Sequence, residues 1–299
     1  MDLKGKTIAV TGASGMLGTY LCRSLLAAGA HVVGVVRSPD KAPFLEDEGV
    51  TFRKADLKDP ISLEDAFEGC DAVISNAAMY VATKSFGAWQ AHRRANVEGT
   101  SNVFESASRA GVTRIVHIST FGVYRWSVFR PLHEESPQVA GEKRKGGAYR
   151  ATKQISEDLA WKLAHELGLK LTVVRPTAVY GARDPNTMAM IYRVMQWPFL
   201  ALPSIGFPLA YAGDVADATV NALANDQTVG QAYNLGGDSQ QLANFLCAVV
   251  RARGKGPRIL PLPLPIRIRT DNRKAERELK FRNRDFDQAL KEIMVEDAR

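Results

Sequence analysis

Residues 7–18 read TIAVTGASGMLG, an apolar run that leads directly into three glycines at Gly12, Gly15 and Gly18. The run predicts a buried strand, and residues 15–28 after it have the apolar spacing of a helix. Glycines at a strand-to-helix turn permit a tight backbone and leave the helix N-terminus open to a phosphate. The stretch therefore predicts a βα unit that binds the pyrophosphate of a dinucleotide.

Short apolar runs alternate with helical segments through the first 176 residues. Further strands are predicted at 31–36, 72–75, 114–119 and 169–175, with weaker candidates at 51–54 and 232–235. Helices are predicted at 62–67, in a segment ending near 110, and at 149–167. Strict alternation implies right-handed crossovers and a parallel sheet that is covered on both faces. The prediction is an α/β fold with a Rossmann-type doubly wound parallel sheet.

The alternation ends after residue 176. Residues 183–212 are rich in Met, Pro and aromatics and are interpreted as irregular, while 254–268 carry four prolines and cannot form a long helix. Residues 214–225 again look helical. We expect a dinucleotide-binding core of residues 1–176, with 213–236 returning to it, and a smaller C-terminal substrate lobe of 177–212 and 237–299. The crevice between core and lobe is the expected ligand site.

Composition and local sequence patterns argue against a membrane-spanning, a secreted and a metal-binding protein. The 299 residues are 45% hydrophobic and 24% charged, which is typical of a soluble globular chain. We expect no membrane span, because no eighteen-residue apolar run occurs, and a cytoplasmic location, because no signal-peptide pattern is seen. Cys22, Cys70 and Cys247 are widely spaced and form no metal-binding pattern, so no metal site is expected.

The formal net charge of +7 is concentrated near the C-terminus, where residues 251–299 hold fourteen Lys/Arg and eight Asp/Glu. A basic segment can indicate nucleic acid or an anionic membrane surface as partner. Acids interleave with the bases here, as in residues 271–279, so we interpret the segment as a solvated helix face. No nucleic-acid partner is expected.

The end of the second predicted strand bears on the choice of cofactor. An Asp or Glu there would accept a hydrogen bond from the ribose 2′-hydroxyl of NAD. This chain has Arg37 instead, which can pair with the 2′-phosphate of NADP. NADP(H) is therefore expected, with NAD as the alternative in which Asp40 assists. The end of the third predicted strand supplies Leu57 and also Asp56, whose side chain can reach the adenine amino group. The end of the fourth supplies the small residues Asn76, Ala77 and Ala78.

Tyr149 and Lys153 are four residues apart at the start of a helix, so they share one helix face. An ammonium about 4 Å from a phenol contributes about 4 kcal/mol at an effective dielectric near 20, which lowers the phenol pKa before desolvation is subtracted. Tyr149 would then exchange a proton with a substrate oxygen near neutral pH. Thr120 or Ser119, at the end of the fifth strand, could hold that oxygen.

These motifs together resemble the extended branch of the short-chain dehydrogenase/reductase superfamily, which contains NAD-dependent epimerases and dehydratases. The resemblance covers nearly the whole chain. It rests on TGASGMLG at 11–18, ADL at 55–57, ANVEGT at 95–100, HISTFGVY at 117–124, YRATK at 149–153, VVRPTAVYG at 173–181 and YAGDVADA at 211–218. It implies that Tyr149 is the proton donor and acceptor, that Lys153 also holds the nicotinamide ribose, and that Thr120 binds substrate.

The resemblance implies further site residues. Arg183 matches a position that meets substrate in many members, and Asn96 matches an asparagine whose role is mainly structural. Taken with the residues above, the expected cofactor-binding set is Gly12, Ser14, Gly15, Met16, Leu17, Gly18, Arg37, Asp56, Leu57, Asn76, Ala77, Ala78, Asn96, Ser119, Tyr149, Lys153, Pro176, Thr177 and Val179. The chain departs from the family at Arg125, where glycine is usual, and in residues 254–274, which look shorter.

The sequence favours an NADP(H)-dependent oxidoreductase that transfers a hydride to or from a mainly apolar ketone, aldehyde or secondary alcohol. Residues 187–210 are rich in Met and aromatics, and the short 254–274 region leaves less protein to enclose a nucleotide-sugar. A nucleotide-sugar epimerase or dehydratase is the alternative. A non-catalytic dinucleotide sensor is a remote one, because a sensor does not need the Tyr149–Lys153 pair. The expected partner is a small-molecule substrate, and a homodimer is left open.

Overall fold

The computed structural model describes residues 1–80, 86–139, 147–237 and 239–297. The strands are β1 Thr7–Thr11, β2 His31–Val36, β3 Thr51–Lys54, β4 Ala72–Ser75, β5 Arg114–Ile118, β6 Lys170–Pro176, β7 Ala178–Tyr180, β8 Phe199–Tyr211, β9 Ala232–Leu235, β10 Ser239–Gln241 and β11 Arg258–Arg267. The α-helices are α1 Met16–Ala27, α2 Pro43–Asp47, α3 Pro60–Phe67, α4 Phe86–His92, α5 Gly99–Arg109, α6 Gly147–Glu166, α7 Thr187–Val194, α8 Ala212–Ala224, α9 Leu242–Arg253, α10 Arg273–Leu279 and α11 Phe286–Asp297.

Seven strands form one parallel sheet in the order β3-β2-β1-β4-β5-β6-β9. All the strands predicted for the core lie in it, including the two weaker candidates. Every residue of β4 and β5 is buried, because helices cover both faces of the sheet. The order reverses beside β1, as in doubly wound folds. The predicted Rossmann-type α/β fold is therefore confirmed.

Helices pack in two layers. Helices α1 and α8 contact each other, and α3, α5 and α6 form a second packed group. A π-helical segment, Arg93–Glu98, joins α4 to α5. Although α8 and β9 follow lobe residues in the chain, α8 packs on α1 and β9 pairs with β6. The last strand of the seven-stranded sheet, β9, therefore follows a stretch of chain that lies outside this sheet.

A second sheet has the order β10-β8-β11, and β7 also pairs with β8. Residues 183–212 were expected to be irregular, and this expectation was wrong, since they contain α7 and the thirteen-residue strand β8. Likewise, β11 lies within 254–268 despite its prolines. Pro261, Pro263 and Pro265 occupy alternate positions of an edge strand, where missing N–H groups on one side leave pairing on the other side intact.

The structure also divides the basic C-terminal segment. Residues 251–270 contain six Lys/Arg and no Asp/Glu, and they form the end of α9 and strand β11. The interleaved charges lie beyond them, where α10 and α11 occur. The interpretation as a solvated helix face therefore fits α10, α11 and the end of α9, but it was wrong for residues 258–267, which form strand β11. Within the described residues, no helix is long and apolar enough to cross a membrane, and no cluster of side chains suited to a metal ion is found.

Candidate functional site

A cleft of about 1260 Å³ opens at the carboxyl ends of the parallel strands, where doubly wound folds bind ligands. It brings together nineteen of the predicted site residues, and Asn96 and Arg183 are outside its lining. Those in the lining are Gly12, Ser14, Gly15, Met16, Leu17, Gly18, Arg37, Asp56, Leu57, Asn76, Ala77, Ala78, Ser119, Thr120, Tyr149, Lys153, Pro176, Thr177 and Val179.

The glycine turn forms one end of the cleft. A Cβ atom on Gly18 would lie 2.2 Å from the Gly12 carbonyl oxygen, so only glycine allows this approach. Gly12 itself has φ +68°, a left-handed conformation that favours glycine. Helix α1 starts at Met16 without a side-chain cap, which leaves its first N–H groups available to an anion. These residues fit the pyrophosphate of a dinucleotide.

Three cationic side chains line the cleft near the ends of β2 and β3 and along the π-helical segment. They are Arg37, which directly follows β2, Lys58 and Arg94, and all three are exposed. Sequence reasoning singled out Arg37 alone. The Lys58 backbone N–H donates to the Asp56 carboxylate at 3.0 Å, which fixes the turn after β3. This part of the cleft is therefore suited to an anionic group.

Tyr149 and Lys153 lie on the first turns of α6 and face the cleft. The Lys153 ammonium donates to the Ile118 carbonyl oxygen at 2.6 Å, and burial lowers its pKa to about 8 against the opposing effect of Glu157. Burial, with a smaller effect of the Tyr80 hydroxyl, raises the pKa of Tyr149 to about 12. The expected lowering of the Tyr149 pKa by Lys153 is therefore not found: burial and Tyr80 both raise that pKa, and the Lys153 ammonium is bonded to the Ile118 carbonyl oxygen instead.

The two hydroxyls at the end of β5 have different partners. The Ser119 hydroxyl donates to the carboxylate of Glu157, which is buried behind the cleft. The Thr120 oxygen accepts from the Gly122 N–H at 3.1 Å, an arrangement that leaves its own O–H proton able to bond elsewhere. Thr120 is thus better placed than Ser119 to hydrogen-bond a molecule in the cleft.

Two residues expected in the site lie elsewhere. The Arg183 guanidinium stacks on the Phe44 ring, 3.4 Å from its centroid, and this cation–π contact holds it outside the cleft lining. Asn96 is buried in the π-helical segment, where its side-chain oxygen accepts from the Met79 N–H at 2.7 Å and its amide donates to Thr152. Its position fits the structural role implied by the family resemblance, and neither residue is a contact of the cleft.

An aromatic group of Phe121, Trp126 and Phe207, here called the aromatic wall, lines the same cleft as Tyr149. The rings of Phe121 and Trp126 stack with centroids 5.2 Å apart and an interplanar angle of 10°, and Phe207 packs edge-on against both. The Arg150 guanidinium lies 4.6 Å from the Trp126 ring. Trp126 follows Arg125, the position at which the chain departs from the family. Sequence reasoning noted the aromatic content of residues 187–210 but did not predict the contact of Phe207 with Phe121 and Trp126.

Comparison with known proteins points to reductases and epimerases. The profile of the NAD dependent epimerase/dehydratase family matches residues 8–236. The chain is 30% identical to cinnamoyl-CoA reductase 1 of Petunia hybrida over 66% of its own length and 61% of that enzyme's. It is 34% identical to 2-alkyl-3-oxoalkanoate reductase of Stenotrophomonas maltophilia, and covers 52% of that enzyme. These alignments therefore span half to three fifths of the relatives.

A solved structure has the same fold over nearly the whole chain. UDP-glucuronic acid 4-epimerase of Bacillus cereus, in complex with NAD, superposes with a TM-score of 0.79 over 97% of this chain and 99% of that one. The identity of 22% shows the fold alone. The profile match is broader evidence, since it spans the glycine turn, the Tyr149–Lys153 pair and strand β9. The chain belongs to the NAD dependent epimerase/dehydratase family.

Proposed function

We propose that this protein is an NADP(H)-dependent reductase of a mainly apolar ketone or aldehyde. The observation that supports the proposal is that Thr120, Tyr149 and Lys153 all line the cleft whose other end is the glycine turn, and that Lys153 bonds to the carbonyl oxygen of Ile118, two residues before Thr120. The relatives named cinnamoyl-CoA reductase and 2-alkyl-3-oxoalkanoate reductase support carbonyl reduction as the reaction class. The enzyme would also run the reverse oxidation of a secondary alcohol.

The side chains divide the chemistry among them. A bound nicotinamide cofactor supplies the hydride for reduction. Thr120 donates a hydrogen bond to the substrate carbonyl oxygen, which positions and polarises it. Tyr149 gives its phenolic proton to that oxygen as negative charge develops there. A pKa raised to about 12 keeps the phenol protonated at neutral pH, which suits a proton donor. Lys153 holds a positive charge at the base of the site.

The cofactor preference is proposed from charge. Arg37 follows β2 at the position where NAD-binding chains place an acid, and Lys58 and Arg94 line the same cleft. A 2′-phosphate carries about two negative charges near neutral pH and can pair with a guanidinium in bidentate geometry. The cleft would accept NADP(H) by this pairing, whereas NAD(H) would leave the cations without a partner.

The substrate class is proposed from the wall of the cleft. Phe121, Trp126 and Phe207 present aromatic surface to the cleft that Tyr149 also lines, and this surface favours a substrate with an apolar or flat group. Polar lining is supplied by Asp184, Asn186 and Thr187. The carboxylate of Asp184 accepts from the N–H groups of Asn186 and Thr187 at 2.8 and 3.1 Å, so it caps α7.

Turnover against a matched panel tests the proposal. The purified protein is mixed with NADPH or NADH and with aromatic ketones, alicyclic ketones or aldehydes, and consumption of the reduced cofactor is followed optically. We expect turnover with NADPH and at least one carbonyl compound. UDP-glucose and UDP-glucuronic acid form the opposing arm. Protein that interconverts a UDP-sugar without net NADPH consumption would show the nucleotide-sugar epimerase to be correct instead.

A further inference from the structure

An exposed apolar face covers the outer side of β8 and β11. The side chains of Leu260, Leu262, Leu264 and Ile266 alternate along β11 and are 39–48% exposed. The parallel register sets Leu260 beside Ala201 and Leu262 beside Pro203, both exposed as well. We call this surface the outer lobe face and define it as Phe199, Ala201, Pro203, Leu260, Leu262, Leu264 and Ile266.

The opposite side of the same strands is occupied. Leu200 is buried in the main hydrophobic core, and Leu202 and Ile259 pack against that core. The two strands are therefore anchored from within while their outer side chains stand in solvent. Burial of large apolar side chains such as leucine is favourable, so a group of them exposed on one surface is a strong indication of a binding surface.

Positive charge surrounds the outer lobe face. Residues 251–270 contain six Lys/Arg and no Asp/Glu, and of the six Arg251 is paired with Asp287 at 2.9 Å. Arg258 begins β11, Arg267 ends it and Arg269 follows, and all three are exposed. An apolar surface with a basic border is complementary to an anionic membrane, in which acyl chains lie beneath negative headgroups.

Two other occupants fit less well. Prolines at alternate positions of β11 remove N–H groups from its outer edge, which opposes pairing with a strand of another molecule. A second copy placed face to face across a two-fold axis would bring one basic border against another. Repulsion between the borders would oppose that contact at low salt, whereas anionic lipid headgroups would neutralise them.

The outer lobe face continues toward the cleft. The Ile268 N–H donates to the Gly206 carbonyl oxygen at the bulged end of the β8–β11 pair. Ile268 is buried in the same cluster as Phe121, and Phe207 packs edge-on against Phe121. Arg269 donates to the Phe129 carbonyl oxygen at 3.3 Å, and the Phe129 side chain is 87% exposed. A surface bound at this face would therefore lie close to the aromatic end of the cleft.

We propose that the outer lobe face docks on an anionic lipid membrane, with its leucines at the level of the acyl chains and its arginines at the headgroups. The docked protein would draw apolar molecules directly from the bilayer toward the cleft. Membrane docking itself does not depend on the proposed reductase activity, because it rests on β8 and β11 alone. The two proposals can therefore fail separately.

Sedimentation with vesicles tests the docking. The full chain is mixed with vesicles of phosphatidylcholine alone or of phosphatidylcholine with phosphatidylglycerol, and bound protein is measured in the pellet. We expect binding to the phosphatidylglycerol vesicles that weakens as salt is added. The double variant Leu262→Asp/Leu264→Asp should bind at least ~10-fold more weakly, because two apolar contacts are lost and two anionic groups added. Arg258→Glu/Arg267→Glu should also bind more weakly.

Ile61→Asp is the matched control. Ile61 is 73% exposed on α3, a helix that packs beside the seven-stranded sheet and is not part of the outer lobe face. Its change to Asp should leave vesicle binding unaltered. Equal thermal midpoints and equal NADPH dissociation constants would show that the variants remain folded. Absence of binding to phosphatidylglycerol vesicles, or equal binding by the Leu262→Asp/Leu264→Asp variant, would overturn the proposal. Dimerisation that this double variant abolishes, without vesicle binding, would assign the face to a second copy.

Discussion

Arg175 and Glu157 form a buried ion pair directly behind the catalytic end of the cleft. The Arg175 Nε donates to Glu157 at 3.0 Å, and both side chains are under 5% exposed. Glu157 also accepts from the Ser119 hydroxyl, while the Arg175 guanidinium donates to the Tyr124 hydroxyl at 2.6 Å. The pair thus ties the end of β5 to helix α6, the two elements that carry Thr120, Tyr149 and Lys153.

Glu157→Gln should destabilise the protein strongly. The change leaves the Arg175 charge buried without its counter-ion, and such a loss costs about 3–5 kcal/mol of unfolding free energy. Urea denaturation measures the unfolding free energy of each variant. Glu157→Gln/Arg175→Met should lose less than the sum of the two single changes, since no isolated charge remains. Glu105→Gln, at an exposed salt bridge of α5, serves as the control and should cost under about 1 kcal/mol. Equal losses for Glu157→Gln and Glu105→Gln would contradict this account.

Tyr149→Phe should reduce turnover by about 10²- to 10⁴-fold, because it removes a transferable proton and retains the ring. The cofactor dissociation constant should change little. Tyr80→Phe is the matched control, since the Tyr80 ring packs edge-on against Tyr149 at 4.7 Å and also lines the cleft. It should keep turnover within a few-fold of the unaltered protein. Single-turnover rates and cofactor titration measure both effects, and comparable losses in the two variants would place the proton donor elsewhere.

The pH dependence follows from the two pKa shifts. Lys153, with a pKa lowered to about 8, is charged below that pH and loses its proton above it. Tyr149, with a pKa raised to about 12, stays protonated throughout. Carbonyl reduction should therefore be level at low pH and fall as pH rises through about 8. Alcohol oxidation needs the phenolate and should gain from rising pH until Lys153 deprotonates. Profiles of kcat/KM in both directions check this, and reduction that stays level to about pH 10 would contradict it.

Local sequence patterns predicted the core well and the lobe poorly. The strands of the parallel sheet are continuous apolar runs, so β1 at residues 7–11 and β4 at 72–75 could be predicted from the local sequence alone. Strand β8 could not, because its pairing partner β11 is about sixty residues away, as in the pair Phe199 and Arg258, and both segments contain proline. The contact of Arg183 with Phe44 could not be predicted for a similar reason, since it joins two segments far apart in the chain and no local pattern records such a pairing.

Arg37→Ala should weaken NADPH binding by about 10- to 100-fold, the amount expected for a lost charge-assisted hydrogen bond. The NADH dissociation constant should barely change, because NADH lacks the 2′-phosphate. Lys41→Ala is the control, as Lys41 is an exposed cation four residues further on that does not line the cleft. Titration of protein fluorescence with each cofactor measures the four constants. NADH that binds the unaltered protein as tightly as NADPH would remove the basis for the preference.

Trp126→Leu should shift the choice of substrate rather than remove activity. The indole stacks on Phe121 and contacts the Arg150 guanidinium, so it is a rigid flat surface in the cleft that Tyr149 also lines. An aromatic pair contributes about 0.5–1.5 kcal/mol beyond area burial, so kcat/KM for an aryl ketone should fall about 2- to 10-fold. The value for an aliphatic ketone of similar size should change less. Trp197→Leu, at an exposed tryptophan outside the cleft lining, should alter neither value. Equal losses for aryl and aliphatic ketones in Trp126→Leu would show that the indole supports the fold of the wall and does not contact the substrate.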